Sequence, residues 1–367
     1  MEFKVPHPSA FVDTPSLELI RRAAASAEQM KDLHPDQLGV IYRNQWFKMF
    51  IPKQNGGLGL TLPEVLRVEE ALSWADGSTG WVVTLCSGAG WFAGFLDPLI
   101  VKDILSDGKV CFAGSGATTG TANVTGGGYE ISGLWQYASG SLHATVFTAN
   151  CHIHEDGAPQ FDGDGSPVIG TFWFHQHEVH LQRQWNSMGM IATASHSFEV
   201  KVLPVGEERR FHVDANHARQ KDPVYQYPFM QLAEATLSIN LSGMAVRFLD
   251  LCEPLFLEKM KRRDAGPKVR DLHQLIADTK ADIDQYRKDF YDAVNRSWEI
   301  CAGGNVIPSS VLKQVTNASH ALAQRSLRLV DELYPKCGLV AARPGEEINR
   351  VWRNLHTASQ HALFSMI

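Results

Sequence analysis

The chain predicts an α+β fold in three consecutive parts: a helical N-terminal domain, a central β-domain and a C-terminal four-helix bundle. Three observations predict it. Residues 1–108 place their apolar side chains at helical spacing. Residues 109–220 replace that spacing with glycine clusters at 114–120, 126–128 and 163–165, separated by short alternating runs. Residues 221–367 return to long helical patterns. Strands and helices do not alternate, which argues against a doubly wound parallel sheet.

Each element has its own warrant. In 16–33, Leu17, Ile20, Ala24, Ala27 and Met30 fall on one helical face, with Thr14-Pro15 as the opening signal. Residues 36–49 form a second amphipathic segment. The stretch 51–60, with three glycines, is a loop, and Pro63 opens the next helix. Residues 79–95 carry no charge, which predicts a buried central helix or one that faces a ligand. The runs 144–150, 168–174 and 197–202 read as strands. Helices are predicted over 229–257, 268–302, 309–334 and 346–367, with breaks at Gly303-Gly304 and 335–344.

Composition excludes several classes. The 367 residues are 44% hydrophobic and 20% charged, with a net charge of −6, which gives no footprint for nucleic acid or an anionic membrane. The basic run at 259–263 lies beside Glu258 and Asp264 and reads as a solvated helix end. The N-terminus has no apolar core of signal-peptide length, and no apolar run approaches about 18 residues. Cysteines 86, 111, 151, 252, 301 and 337 form no CxxC pair, so reduced thiols in a cytoplasmic protein are expected.

The chemistry concentrates at 133–141, Gly-Leu-Trp-Gln-Tyr-Ala-Ser-Gly-Ser. Strand alternation predicts Trp135, Tyr137, Ser139 and Ser141 on one face. Aromatics followed by small hydroxyls can stack a flat ring and hydrogen-bond its edge, and a flavin is such a ring. A strand with an ordinary buried aromatic pair has the same alternation. The loop around Gly116 and Thr118 is rich in glycine and hydroxyls and can cradle a phosphate or a ring edge, but it lacks a P-loop lysine. His175, His177 and His180 do not converge if the segment is a strand, so no metal site is expected. No Gly-x-Ser-x-Gly elbow supports a serine hydrolase.

Four stretches, in order, resemble the acyl-CoA dehydrogenase superfamily. They are Ile51-Pro52 through Gly56-Gly57-Leu58-Gly59-Leu60, Glu69-Glu70-Ala71 through Trp81, Gly128-Tyr129 through Gly140, and Trp185 through His196. Within it, Trp135-x-Tyr137-Ala138-Ser139-Gly140-x-x-His143-Ala144 is most similar to the oxygenase components of two-component flavin-dependent monooxygenases. The run Arg350 to His361 resembles their closing helix, including its final histidine.

The two activities in that superfamily demand different residues. A dehydrogenase needs a carboxylate base, yet no Asp or Glu follows Glu347, and His361 stands near the expected position. Glu234 and Glu253 remain as earlier-placed candidates. An Arg-x-x-x-Phe-Gly pattern for an adenine moiety is not evident between 259 and 302. A monooxygenase needs a dry pocket with hydrogen-bonding groups at the ring edge.

The resemblance therefore implies FMN or FAD, supplied reduced by a separate reductase, since no nicotinamide-binding glycine fingerprint is visible. It implies Ser139 and Ser141 at the ring edge, Trp135, Thr193 and Ser195 lining the flavin site, and His361 as acid or base. Trp81, Trp91 and Phe92 would wall a pocket for a small, apolar or aromatic substrate. A homotetramer is implied as well. Related hydroxylases carry a histidine on the helix around 87–91, and this chain has none there. The alternatives are an acyl-CoA dehydrogenase-like oxidoreductase with FAD, or a flavin-binding scaffold without catalysis.

Overall fold

The computed structural model describes residues 5–261 and 267–364. Five helices come first: α1 (Thr14–Met30), α2 (Pro35–Arg43), α3 (Leu62–Ala75), α4 (Gly77–Trp91) and α5 (Pro98–Ile104). Their starts follow the sequence closely. Asp13 accepts from the Ser16 amide at 2.9 Å, and Thr61 with Glu64 forms a reciprocal capping box on α3. Asp76 accepts from both the amide and the hydroxyl of Thr79, which starts α4 immediately after α3 ends.

The middle of the chain is one sheet: β1 (Phe112–Thr125), β2 (Gly128–Ala138), β3 (Val146–Glu155), β4 (Ala158–Pro159), β5 (Ile169–His175), β6 (His180–Gln182), β7 (His196–Val205) and β8 (Arg210–Phe211). The strand order is β6-β7-β2-β1-β3-β5-β8, with β4 on β3. All pairs are antiparallel except β1 with β3. The sheet has a core of its own around Trp135, Phe147, Phe172, Phe174 and Phe198. Trp135 also explains two strand glycines. A Cβ on Gly120 would stand 2.1 Å from the indole and one on Gly133 2.6 Å from it, so only glycine lets the ring lie flat between them.

The last part contains α6 (Phe229–Lys261), α7 (Pro267–Ala302), α8 (Ser309–Cys337) and α9 (Glu347–Ala358). Contacts between Gln231 and Thr316, Glu234 and His320, and Cys252 and Cys337 run in step, so α6 and α8 are parallel. The closing helix is shorter than the predicted 346–367. The Ser359 hydroxyl takes the His356 carbonyl, the chain turns, and His361 lies beyond the helix rather than on it. Of the basic run at 259–263, all but Lys261 lies outside the residues whose side chains are described, as do 365–367.

A buried ion pair locks the helical parts together. Glu70 on α3 receives Arg287 of α7 at 2.7 and 3.0 Å, Ser242 of α6 at 2.7 Å and Tyr291 at 2.8 Å. Burial alone pushes the Glu70 carboxyl up, but Arg287 and these hydrogen bonds outweigh it and hold the group below its ordinary value. Its neighbour Glu69 has no cation. Burial raises Glu69 well above the usual carboxylate range, against weaker opposing bonds from Thr84 and Ser87. Among the described residues no helix is long and apolar enough to cross a membrane.

Candidate active site

Four segments far apart in sequence meet at the end of β2. Helix α4 is buried nearly all round, and only Leu85, Gly88 and Phe92 are partly open. With Trp81 they follow the spacing i, i+4, i+7, i+11, which is one helical stripe. A Cβ on Gly88 would meet nothing within 4 Å, so the stripe has room in front of it. At one end lies Trp81. At the other, Phe92 contacts Phe211 and Phe229 at ring separations of 5.7 and 5.5 Å.

Trp81 opens a chain of hydroxyls. Its indole N–H donates to Ser139 Oγ at 3.1 Å. Ser139 Oγ pairs with Ser195 Oγ at 2.8 Å, and Ser195 Oγ with Thr193 Oγ1 at 2.7 Å. Thr193 donates to the Met190 carbonyl at 2.8 Å. Beside it the Ser141 hydroxyl donates to the Ala194 carbonyl at 2.8 Å, and the Gly140 amide donates to the Thr193 carbonyl. A Cβ on Gly140, whose φ is +73°, would stand 2.5 Å from Cys86 Sγ, so glycine is what allows this strand end to reach α4.

His361 closes the site from the C-terminal side. Its ring meets Trp81 edge-on with centroids 5.9 Å apart, and Nδ1 accepts the Leu363 amide at 3.3 Å. That bond puts the proton of the neutral ring on Nε2. Burial lowers the His361 pKa below its ordinary value, so the imidazole is neutral at pH 7. The turn is anchored by α9. Asn354 accepts from the Met190 amide at 2.7 Å, Thr357 from the Gly189 amide at 2.9 Å, and Arg353 donates to the Met188 carbonyl at 2.8 Å.

The predicted residues are thus sorted by the fold. Trp81, Ser139, Ser141, Thr193, Ser195 and His361 come together. Trp135 does not join them, and the expected shared face is corrected. Its ring is wholly buried inside the sheet, stacked on Phe198 at 5.2 Å, with its N–H on the Asn150 carbonyl. The β2–β7 register shifts between Trp135 and Ala138, and Tyr137 takes a φ of +65°, so simple alternation ends there. Tyr137 is two-thirds exposed and packs edge-on against the half-buried Trp185. Trp91 is also corrected as a pocket wall. It is packed behind Phe92, with its N–H on the Val224 carbonyl.

Gly116 is exposed and Thr118 half-buried on β1, at a bulge against β3, away from the hydroxyl chain's hydrogen bonds. His143 bonds Asp32 at 2.7 Å and ties the loop after β2 to the start of the chain. Among the described residues no three His, Cys, Asp or Glu side chains are placed to hold a metal. Sequence reasoning missed Leu85, Gly88 and Phe229. The stripe spacing on α4 was the available signal, whereas Phe229 is brought in only by tertiary packing.

Residues 235–366 match the family "Acyl-CoA dehydrogenase, C-terminal domain". Most of the chain matches the oxygenase subunit HsaA of a flavin-dependent monooxygenase from Rhodococcus jostii (strain RHA1). The two are 23% identical over 357 residues, which cover 94% of this chain and 92% of that one. The crystal structure of 3-HSA hydroxylase from Rhodococcus sp. RHA1 superposes with a TM-score of 0.88 at 22% identity, covering 96% of this chain and 92% of that one. The family match thus covers residues 235–366, and the chain shares the fold of these proteins. XiaF from Streptomyces sp., solved with FADH2 and glycerol, shares the fold with a TM-score of 0.85 at 20% identity, covering 97% of this chain and 91% of XiaF. The carboxylates left as dehydrogenase candidates are held in other contacts. Glu234 is bonded to Thr316 at 2.6 Å in the α6–α8 seam, and Glu253 is exposed.

Proposed function

We propose that this chain is the oxygenase component of a two-component flavin-dependent monooxygenase. It takes reduced flavin, FAD or FMN, from a separate reductase and places one oxygen atom of O2 on a small, apolar or aromatic substrate. The observation that carries the reading is the junction of Trp81, the Ser139–Ser195–Thr193 hydroxyls and a neutral His361. A half-buried imidazole stands there, while Glu234 is bonded to Thr316 and Glu253 is exposed.

The residues present fit a flavin edge. The Tyr137–Trp185 pair offers an apolar approach, and Ser139 lies two residues beyond Tyr137 on the same segment. When bound, reduced flavin supplies two electrons and activates O2. Ser139 and Ser141 position its edge, with Thr193 and Ser195 behind them. His361 accepts a proton from the substrate or holds one at the reacting oxygen, and burial of the surrounding helices excludes water. The α4 stripe supplies the apolar wall. Gly88 stands where a polar contact from α4 would otherwise project, which favours a substrate without an anchoring charge on that side. HsaA is named as an oxygenase subunit and XiaF is solved with FADH2, and both support the reading.

We also read the chain as three domains, 1–108, 109–220 and 221–367, in a cytoplasmic homotetramer. The deciding experiment mixes the protein anaerobically with reduced FAD or FMN, then with oxygen, while near-UV absorbance is recorded. A transient absorbance longer-lived than with free flavin is expected with one of the two. Immediate conversion to oxidised flavin overturns the oxygenase reading, and bleaching of oxidised flavin by an acyl-CoA favours a dehydrogenase.

A further inference from the structure

We propose that the chain Trp81–Ser139–Ser195–Thr193–Met190 has one fixed hydrogen-bond direction, and that Ser139 therefore offers a lone pair and no proton to whatever binds beside it. The site would then take a ligand edge that donates a hydrogen bond and disfavour one that accepts. For a flavin, which rests on the function proposed above, this distinguishes redox states. The reduced ring carries N–H at N5, and the oxidised ring carries a bare nitrogen there.

The direction follows from the two ends. An indole N–H only donates, and a backbone carbonyl only accepts. Each hydroxyl between them has a single proton. Thr193 spends its proton on the Met190 carbonyl at 2.8 Å, so toward Ser195 it is the acceptor. Ser195 spends its proton on Thr193, so toward Ser139 it is the acceptor. Ser139 spends its proton on Ser195 and accepts from Trp81 at 3.1 Å, which leaves one lone pair. Ser141, on the same segment, spends its proton inward on Ala194. Trp81, Ser139, Ser141, Thr193 and Ser195 are all buried, and reversing the rotors would set Thr193 Oγ1 against the Met190 carbonyl at 2.8 Å with no proton between the two oxygens.

Thr193 and Ser195 are accordingly positioning residues, acting through Ser139. In Thr193→Val the chain loses its acceptor end. Ser195 can then turn its proton toward Ser139, and Ser139 can donate outward. In Ser195→Ala the Ser139 proton loses its inward acceptor, with the same result. The experiment measures dissociation constants of reduced FAD, anaerobically, and oxidised FAD for the wild type and both variants, with far-UV circular dichroism as the fold control. If FMN is the flavin bound, it replaces FAD.

The wild type is expected to prefer the reduced flavin, and each variant to lower that preference about 10-fold or more, the size of one buried hydrogen-bond mismatch. A merely structural role would weaken both redox states together and leave the ratio unchanged, which overturns the proposal. A wild type that prefers oxidised flavin overturns it too, while leaving flavin binding intact. If neither flavin binds the wild type, the proposed function falls, and this inference with it.

Discussion

Replacing Arg287 with methionine tests how α3, α6 and α7 are held together. Methionine keeps the unbranched stem but removes the partner of Glu70, along with the bonds to the Pro6 carbonyl at 2.8 Å and Asp284 at 2.9 Å. Both members of the Glu70–Arg287 pair are buried, so the variant leaves an uncompensated carboxylate in the interior. The expected loss is about 3–5 kcal/mol near pH 7–8, a large part of the stability of an ordinary domain.

The pH dependence sharpens the test. In the wild type the folded Glu70 pKa is lowered, so its contribution is present above the unfolded value of about 4.3 and is lost as pH falls through the lower folded value. In Arg287→Met, burial dominates and raises that pKa. The variant then becomes less stable as pH rises above about 4.3, and its deficit against the wild type is smaller at pH 5 than at pH 8. Urea unfolding followed by far-UV circular dichroism at both pH values measures it. A deficit below about 1 kcal/mol, or one equal at the two pH values, would refute the reasoning.

Further outcomes are expected. His361→Ala should leave flavin binding within about a few-fold but sharply lower product formed per O2 consumed, and unchanged coupling removes His361 from the mechanism. Glu69→Gln should abolish a decline in stability with rising pH. The raised folded pKa makes the wild type lose about 1.4 kcal/mol for each unit by which it exceeds the unfolded value, and parallel pH profiles would contradict this. Gly133→Ala drives a Cβ to 2.6 Å from the Trp135 indole and should cost about 1–3 kcal/mol, visible as a lower melting temperature. Cys252 and Cys337 have sulfurs 3.3 Å apart, so mild peroxide should join them, and peptide mapping that finds no such cross-link would count against it.

Much of this architecture was legible because its signals are local. Thr14-Pro15 and Pro63 open helices where the apolar spacing begins, and the glycine clusters mark the sheet. The association of Trp81, Ser139, Ser195 and His361 was reached through resemblance, since no local rule brings residues 81 and 361 together. Trp135 was misplaced because alternation assumes a regular strand, and neither the register shift nor the positive φ of Tyr137 has a local signature. Trp91 and Phe92 are adjacent and similar in sequence. Only the packing of Val224, Tyr225 and Phe229 makes one a buried prop and the other a partly open surface.

The Trp81 indole N–H has a use as an internal clock. Its acceptor belongs to the end of β2, its own residue to α4, and the ring beside it to the turn after α9, so separation of any of the three exposes that proton to solvent. Its hydrogen-exchange rate therefore measures how often the assembled site comes apart as a unit. A ligand that bridges these segments should slow that exchange even where it touches none of the indole's atoms.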